Sequence, residues 1–238
     1  MLIDTHCHLH DREFFSEAQA EEMIKRAHDS GVEKIICIGT SHKDSMAASE
    51  FASCHDGVYW TYGVHPGHAD EDWEFKGSPV AIGEVGLDYH YEGYSRKEQI
   101  QLFEEMLQLA IDNNLPLSFH VREAFGDFFP VVANFPKARG VIHSFSDNKK
   151  NLKRILTETD FYVGVNGMAT YSTLLTPPIE RIILETDAPF LTPKPFRGII
   201  NEPAYVAAIA EWLSEKLGLD HKIIERETTK NAKGLFNF

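Results

Sequence analysis

The chain has 238 residues, 43% of them hydrophobic and 25% charged, so it can bury one sizeable core and is not a disordered polymer. Acidic residues outnumber lysine plus arginine by 36 to 23, and the resulting formal charge of −13 argues against broad, sequence-independent binding to nucleic acid. A local cationic site, bound metal ions included, can still hold one phosphate or a strand end.

The N-terminal stretch MLIDTHCHLHDREFF has neither the basic region nor the long apolar stretch of a secretory signal. No apolar run approaches the ~20 residues needed to span a membrane, so a cytoplasmic location with no membrane partner is expected. Cys7, Cys37 and Cys54 form no CxxC pair, as expected in a reduced compartment. No feature points to an obligate protein partner.

Short β-rich runs then alternate with helical patterns along the chain. The candidate strands are LIDTH from Leu2, KIICIG from Lys34, VYWTYGV from Val58 and PVAIGEV from Pro79. They continue with LPLSFHV from Leu115, ARGVIHS from Ala138, DFYVGV from Asp160 and RIILET from Arg181. Near-continuous Val/Ile-rich runs of this kind indicate strands buried on both faces, as in a parallel sheet. The segments between them are long enough for crossover helices. Ile100, Phe103, Leu107 and Ala110 form one apolar stripe on a polar segment, and Tyr205, Ala208, Ile209, Trp212, Leu213 and Leu217 form another. For the second helix, Asn201 is the expected cap, Pro203 falls in the first turn and Gly218 lies just past the end. The segments TPPIE near Pro177 and TPKPFRG near Pro193 read as loops over one face. Eight βα units fit a TIM (β/α)8 barrel, an α/β fold expected to form a single domain over residues 1–238.

Chemistry collects at the strand ends. His6 and His8 stand two apart at the end of the first strand, so their imidazoles share one side and can reach one point. Cys7 between them faces the other way and is expected in the core. Glu84 ends the fourth run, His120 the fifth, His143 the sixth and Asp187 the eighth. Each polar residue directly follows residues expected to form barrel wall. The carboxyl end of a TIM barrel is where sites are assembled from several strands, and four imidazoles with two carboxylates suit divalent metals.

Six candidate ligands exceed the needs of one tetrahedral ion and point to two. The ligand types suit zinc, manganese, cobalt or magnesium. Glu84 is the first choice for a bridge, because its two oxygens can bind different ions. An unliganded oxygen of Asp187 can accept the proton of an attacking water, so Asp187 and Glu84 are the expected catalytic residues.

The set HCHLH, GVHPGHA, GEVGLDY, FHVREA, HSFS and ETDAPFLTPKPFRG…NEP, in that order, resembles the TatD family of metal-dependent DNases and hydrolases. The resemblance implies a TIM barrel with a dinuclear site that hydrolyses phosphoester bonds in DNA, often as a 3′-to-5′ exonuclease. It also implies that His6, His8, Glu84 and Asp187 hold a first ion and that Glu84, His120 and His143 hold a second. Three positions depart from the family pattern: Gly67, with His68 one place later; Asp147 after HSFS; and Phe196 in the PxPxRG loop. All three belong to the expected substrate rim rather than to the ligands.

His65 either contacts a scissile phosphate or caps the turn before Pro66. Arg122 suits a phosphate clamp or a surface ion pair with a neighbouring carboxylate, and Arg197 is a similar candidate. Tyr89 and His90 could line the pocket, although no spacing rule requires it. His10, His28, His42, His55, His90 and His221 are expected on the solvated surface.

The reading is therefore a metal-dependent phosphodiesterase acting on a DNA strand end or a small phosphoester. The alternative is a hydrolase of a small-molecule ester, amide or lactone, which the same activated water would serve. A non-catalytic protein with a structural metal fits poorly, because such sites are usually closed and Cys-rich.

Overall fold

The computed structural model describes residues 1–93, 95–171 and 177–238. Its eight parallel strands lie side by side in sequence order. They are β1 (Leu2–Cys7), β2 (Val32–Cys37), β3 (Val58–Tyr62) and β4 (Ala81–Asp88), then β5 (Leu117–Arg122), β6 (Gly140–Ile142), β7 (Tyr162–Val165) and β8 (Ile182–Leu184). Each falls within, or overlaps, one of the eight apolar runs.

The sheet curls into a TIM barrel that is closed between β8 and β1 by individual bonds. Asp187 N donates to His6 O and His8 N donates to Ala188 O, both at 2.7 Å, while Thr5 Oγ1 donates to Leu184 O at 3.0 Å. The Asp4 carboxylate accepts from Thr186 N at 2.9 Å and from His6 N at 3.3 Å. Barrel closure and placement of the two N-terminal histidines therefore use the same few bonds.

Among the described residues seven α-helices surround the strands: α1 (Glu17–Asp29), α2 (His42–Ser53), α3 (Arg96–Asp112), α4 (Phe125–Ala133), α5 (Lys149–Glu158), α6 (Val206–Leu217) and α7 (His221–Phe236). Local chemistry explains their limits. Ser16 and Gln19 cap α1 reciprocally, and Gly218 ends α6 at φ 64°, a left-handed turn that glycine adopts without strain. The stripe on α3 is buried as Leu102, Phe103, Met106, Leu107 and Ala110.

Two expectations need correction. The β3–β4 connection carries only a 3-10 turn over Pro66–His68, because Pro66, Gly67, Gly77 and Pro79 break any longer helix. Among the described residues the β7–β8 connection likewise has only 3-10 turns, Gly167–Tyr171 and Ile179–Arg181; Thr176 of TPPIE lies outside those residues. Nor does Asn201 cap α6. Pro203–Tyr205 forms a 3-10 lead-in, and buried Asn201 donates to Thr186 O at 2.8 Å and to Phe190 O.

The barrel interior is divided by height. Ile3, Ile36, Ile38, Ala81, Val141 and Ile183 cluster with Ala232, Leu235 and Phe236 of α7 and fill its lower part. His143 and Glu185 follow Val141 and Ile183 by two positions, so the same strand faces turn polar towards the mouth. Outside, Phe119 of β5 packs against Phe103 of α3, Phe128 of α4 and Phe161, with ring centroids 4.8–5.9 Å away.

Phe128 is fully buried in this wall. Phe128→Ala should cost about 3–5 kcal/mol of unfolding free energy through lost transfer energy and a residual cavity. Urea denaturation should read this as a lower midpoint, with metal stoichiometry unchanged in the protein that remains folded.

Candidate metal centre

The six residues expected as ligands converge at the carboxyl end of the barrel. β1 delivers His6, and His8 follows one residue later. β4 delivers Glu84 and β5 delivers His120. His143 and Asp187 stand just beyond β6 and β8. Two glycines make the convergence possible. A Cβ on Gly63 would lie 2.1 Å from Gly83 C, so β3 can approach the Glu84 peptide only without a side chain. Gly86, at φ 147°, lets β4 lie against β5, where a Cβ would meet His120 O at 2.0 Å. Asp187 itself takes φ 61°, costly for a non-glycine residue and tolerated here because its neighbours are tied to β1.

Apart from His120, whose Nδ1 is hydrogen-bonded to Glu84 Oε1, the ligand atoms face one another at 3.5–4.0 Å, beyond ordinary hydrogen-bond lengths. His6 Nε2 lies 3.7 Å from Glu84 Oε2 and 3.6 Å from Asp187 Oδ1, and His8 Nε2 lies 3.5 Å from the same Asp187 oxygen. His143 Nε2 is 4.0 Å from Glu84 Oε1 and 3.9 Å from Asp187 Oδ1. Bonds of 2.0–2.2 Å in a tetrahedron put neighbouring ligand atoms about 3.3–3.6 Å apart. Within the quartet of His6, His8, Glu84 and Asp187, the pairs His6–Asp187 and His8–Asp187 match that spacing and His6–Glu84 lies just beyond it. His6 Nε2 is also buried with no hydrogen-bond partner, a costly state for a polar atom that a cation would relieve. The donor set and the spacing thus fit a divalent ion.

Two carboxylates that the sequence reading did not single out complete the arrangement. His120 Nδ1 lies 2.7 Å from Glu84 Oε1, while its Nε2 lies 2.9 Å from Asp88 Oδ2. Glu185, fully buried, brings Oε1 within 3.0 Å of His143 Nδ1 without the alignment of a full hydrogen bond. It also accepts from Ser144 N at 2.7 Å. Each carboxylate addresses the nitrogen turned away from Glu84, which is how a carboxylate orients a metal-binding imidazole. Donor atoms also gather as His6, His143 and Glu185 and as His65, Asp88 and His120, but Asp88 and Glu185 sit behind their histidines and are better explained as orienting groups. Both were legible in outline, since Asp88 lies four residues beyond Glu84 and Glu185 two before Asp187.

The electrostatics follow from burial opposed by pairing. Burial disfavours charge on His120, but hydrogen bonds to Asp88 and Glu84 outweigh it and raise the imidazole to about 9. His143 is raised to about 10 against the same penalty, chiefly by the charges of Glu185 and Asp187. Burial pushes Glu84 up, but His120, His6 and His143 together hold it well below its ordinary value. His6 is lowered well below the usual range by burial and by the charge of His143. Without metal, the site thus holds its negative charge with protons on His120 and His143.

A cleft of about 790 Å3 opens above the cluster, a size suited to a small ligand or a nucleotide. His65 and Arg122 line it, as does His68. His65 both caps the turn, with Nδ1 accepting from Gly67 N at 3.0 Å, and sits edge-on to His120 at 4.5 Å. Arg122 makes no ion pair among the described residues; its guanidinium lies 5.2 Å from the Tyr91 ring centroid. Arg197 lies in an adjoining recess with Met168 and Tyr171, and Phe196 stacks on Tyr205 at 3.9 Å. Tyr89 turns away and donates to Asp127 Oδ2. The expectation that His10 is solvated is overturned. It is 2% exposed, because the turn after β1 tucks it against Asp44 Oδ1 at 2.9 Å.

Comparison with known proteins agrees with this geometry. The family model described as TatD related DNase matches residues 3–237. An uncharacterized metal-dependent hydrolase of Bacillus subtilis, YabD, is 34% identical over 99% of each chain. A protein of Pantoea ananatis named 3′-5′ ssDNA/RNA exonuclease TatD is 32% identical, also over 99% of each. Among solved structures, the TatD homologue YJJV of Escherichia coli superposes with a TM-score of 0.88 at 27% identity, covering 100% of this chain and 98% of that one.

His120 and His143, raised to about 9 and about 10, hold protons at neutral pH in the metal-free protein. Ions that take their nitrogens must displace those protons. Against burial, His8 is raised as well by its pairing with Asp187, so metal loading between pH 7 and 8 should release about two or more protons per chain, and affinity should weaken as pH falls. Calorimetric titration in buffers of different ionisation enthalpy measures the count; no proton release would show that the two imidazoles are not ligands.

Proposed function

Because the chain belongs to the family of TatD-related DNases and is a metal-dependent hydrolase, we propose that it is a dinuclear phosphodiesterase acting on nucleic-acid strand ends, of the 3′-to-5′ exonuclease type. The observation that carries this reading is the set of imidazole and carboxylate atoms facing one another 3.5–4.0 Å apart at the barrel mouth. In this reading His6, His8, Glu84 and Asp187 hold one ion. Glu84, with His120 and His143 through the nitrogens that face it, would hold the other. Zinc, manganese, cobalt or magnesium would each suit the donors.

When bound, such ions lower the pKa of water and neutralise charge on the attacking and leaving oxygens. The protein's own groups do the rest. Glu84 separates its oxygens between the two ligand groups. Asp88 and Glu185 keep His120 and His143 turned inward. Asp187 presents Oδ1 to His6, His8 and His143, leaving Oδ2 to take the proton of the attacking water. His65 and Arg122, lining the same cleft, flank the phosphate. The new oxygen–phosphorus bond forms as the bond to the opposite ester oxygen breaks.

Labelled single-stranded DNA incubated with reconstituted protein tests the reading. Stepwise shortening that chelation abolishes supports it; turnover of small esters with no attack on DNA would overturn it.

Glu84→Ala should reduce stoichiometry from about two ions towards none, because a shared ligand is lost from both sites. Elemental analysis of the folded variant checks this, and retention of two ions would remove Glu84 as the bridge.

Asp187→Asn keeps shape and one oxygen but cannot accept the proton. In samples of matched metal content, kcat should fall by about 10²–10⁴ with KM little changed. A fully metallated variant with near-normal kcat would make Asp187 a ligand only.

A further inference from the structure

Large apolar side chains are rarely left exposed on a soluble chain, and where they gather they mark a binding surface. Among the described residues eight such side chains are well exposed, and four of them, Phe14, Tyr91, Met168 and Phe190, line the cleft over the candidate metal centre. Phe14 and Phe190 are in contact, with ring centroids 5.2 Å apart at 83°. Phe190 in turn meets the His8 ring edgewise at 6.2 Å. A ledge of aromatic rings thus runs outward from a candidate ligand, His8, through Phe190 to Phe14.

The ledge is built rather than incidental. Phe190 N donates to Asp187 O at 2.8 Å, and Phe190 O accepts from Asn201 Nδ2. Asn201 is itself fully buried and anchored to Thr186 O. Phe14 sits in a turn closed by Phe15 N donating to Asp11 O at 3.0 Å, and Phe15 is anchored in the core at 1% exposure. Both rings nevertheless keep 45–46% of their surface open. Prepositioned rings give up little conformational freedom when a flat ligand settles on them.

We propose that Phe190, braced edge-to-face by Phe14, forms a stacking platform for an unpaired nucleobase next to the scissile phosphate. The proposal rests on the phosphodiesterase reading above and assigns the side chains that seat the base of the terminal nucleotide. Three features select a base over other apolar ligands. The backbone that holds Asp187 also holds Phe190, so a phosphate at the metal centre places its own nucleotide beside that ring. The chain carries a charge of −13, so attraction for a polyanion away from the ions is weak, and stacking supplies affinity without positive charge. Every base has a π-face, so such a platform serves an exonuclease that must accept any sequence. Bases inside a duplex have both faces occupied and cannot use it.

The test compares wild-type protein with Phe190→Ala, Phe14→Ala and Phe190→Trp on a short single-stranded oligonucleotide and on the same strand with abasic 3′-terminal nucleotides. Phe190→Ala should lose about tenfold or more in kcat/KM on the normal strand, mainly through KM, with a smaller loss for Phe14→Ala. Phe190→Trp should restore most of it, and on the abasic strand Phe190→Ala and wild type should act alike. In a second readout, 2-aminopurine at the 3′ end should be quenched on binding to Asp187→Asn protein and should brighten when Phe190→Ala is added. A Phe190→Ala variant that cleaves the normal strand as wild type does would overturn the platform. So would an equal loss on both strands, which would mark Phe190 as structural. If wild-type protein cleaves neither strand, the phosphodiesterase reading fails, and the platform's ligand fails with it.

Discussion

Glu84 is buried under the mouth of the barrel with its two oxygens turned to different histidines, Oε2 towards His6 and Oε1 towards His120 and His143. A carboxylate in that position must be neutralised, since an unpaired buried charge costs several kcal/mol or more. Protons on His120 and His143 can do this in the metal-free protein, and divalent ions do it better, because they also satisfy the partnerless His6 Nε2. The surrounding architecture serves this one constraint. Gly63 and Gly86 allow the backbone to close around Glu84 and His120, and the bonds joining β8 to β1 bring Asp187 beside His6 and His8.

Orientation is handled by a second set of carboxylates. Asp88 and Glu185 contact His120 and His143 on the nitrogens that face away from Glu84. An imidazole with one nitrogen committed in this way can offer only the other to a cation. The acidic excess of the chain therefore has a local use at the barrel mouth, where some of its charge is arranged to hold cations and to aim their ligands. In the proposed function, substrate contact falls to neutral or singly charged groups that line the cleft: His65, Arg122 and the exposed aromatic rings.

What was legible in the sequence follows from period and position. The eight strands were visible because apolar runs buried on both faces are hard to mistake, and the six converging residues because each polar side chain interrupts such a run at its end. Less visible were features that depend on backbone path. Eighteen residues between β3 and β4, numbered 63–80, seemed room enough for a helix, but their prolines and glycines make a turn and a loop instead. Asn201 has the composition of a helix cap, yet the β8 loop uses its amide to brace Thr186 and Phe190. His10 reads as a surface residue until α2 brings Asp44 against it. Asp88 lies four residues beyond Glu84 and Glu185 two before Asp187, but only three-dimensional proximity shows which histidine nitrogen each one meets.

In the proposed function two ions share Glu84 and lie on its side of His120 and His143. Anomalous diffraction from crystals of zinc- or manganese-loaded protein tests it most directly. Two peaks about 3.5–4 Å apart are expected, one among His6, His8, Glu84 and Asp187 and the other among Glu84, His120 Nδ1 and His143 Nε2. A single peak, or a peak on the far side of either histidine beside Glu185 or between His65 and Asp88, would contradict it.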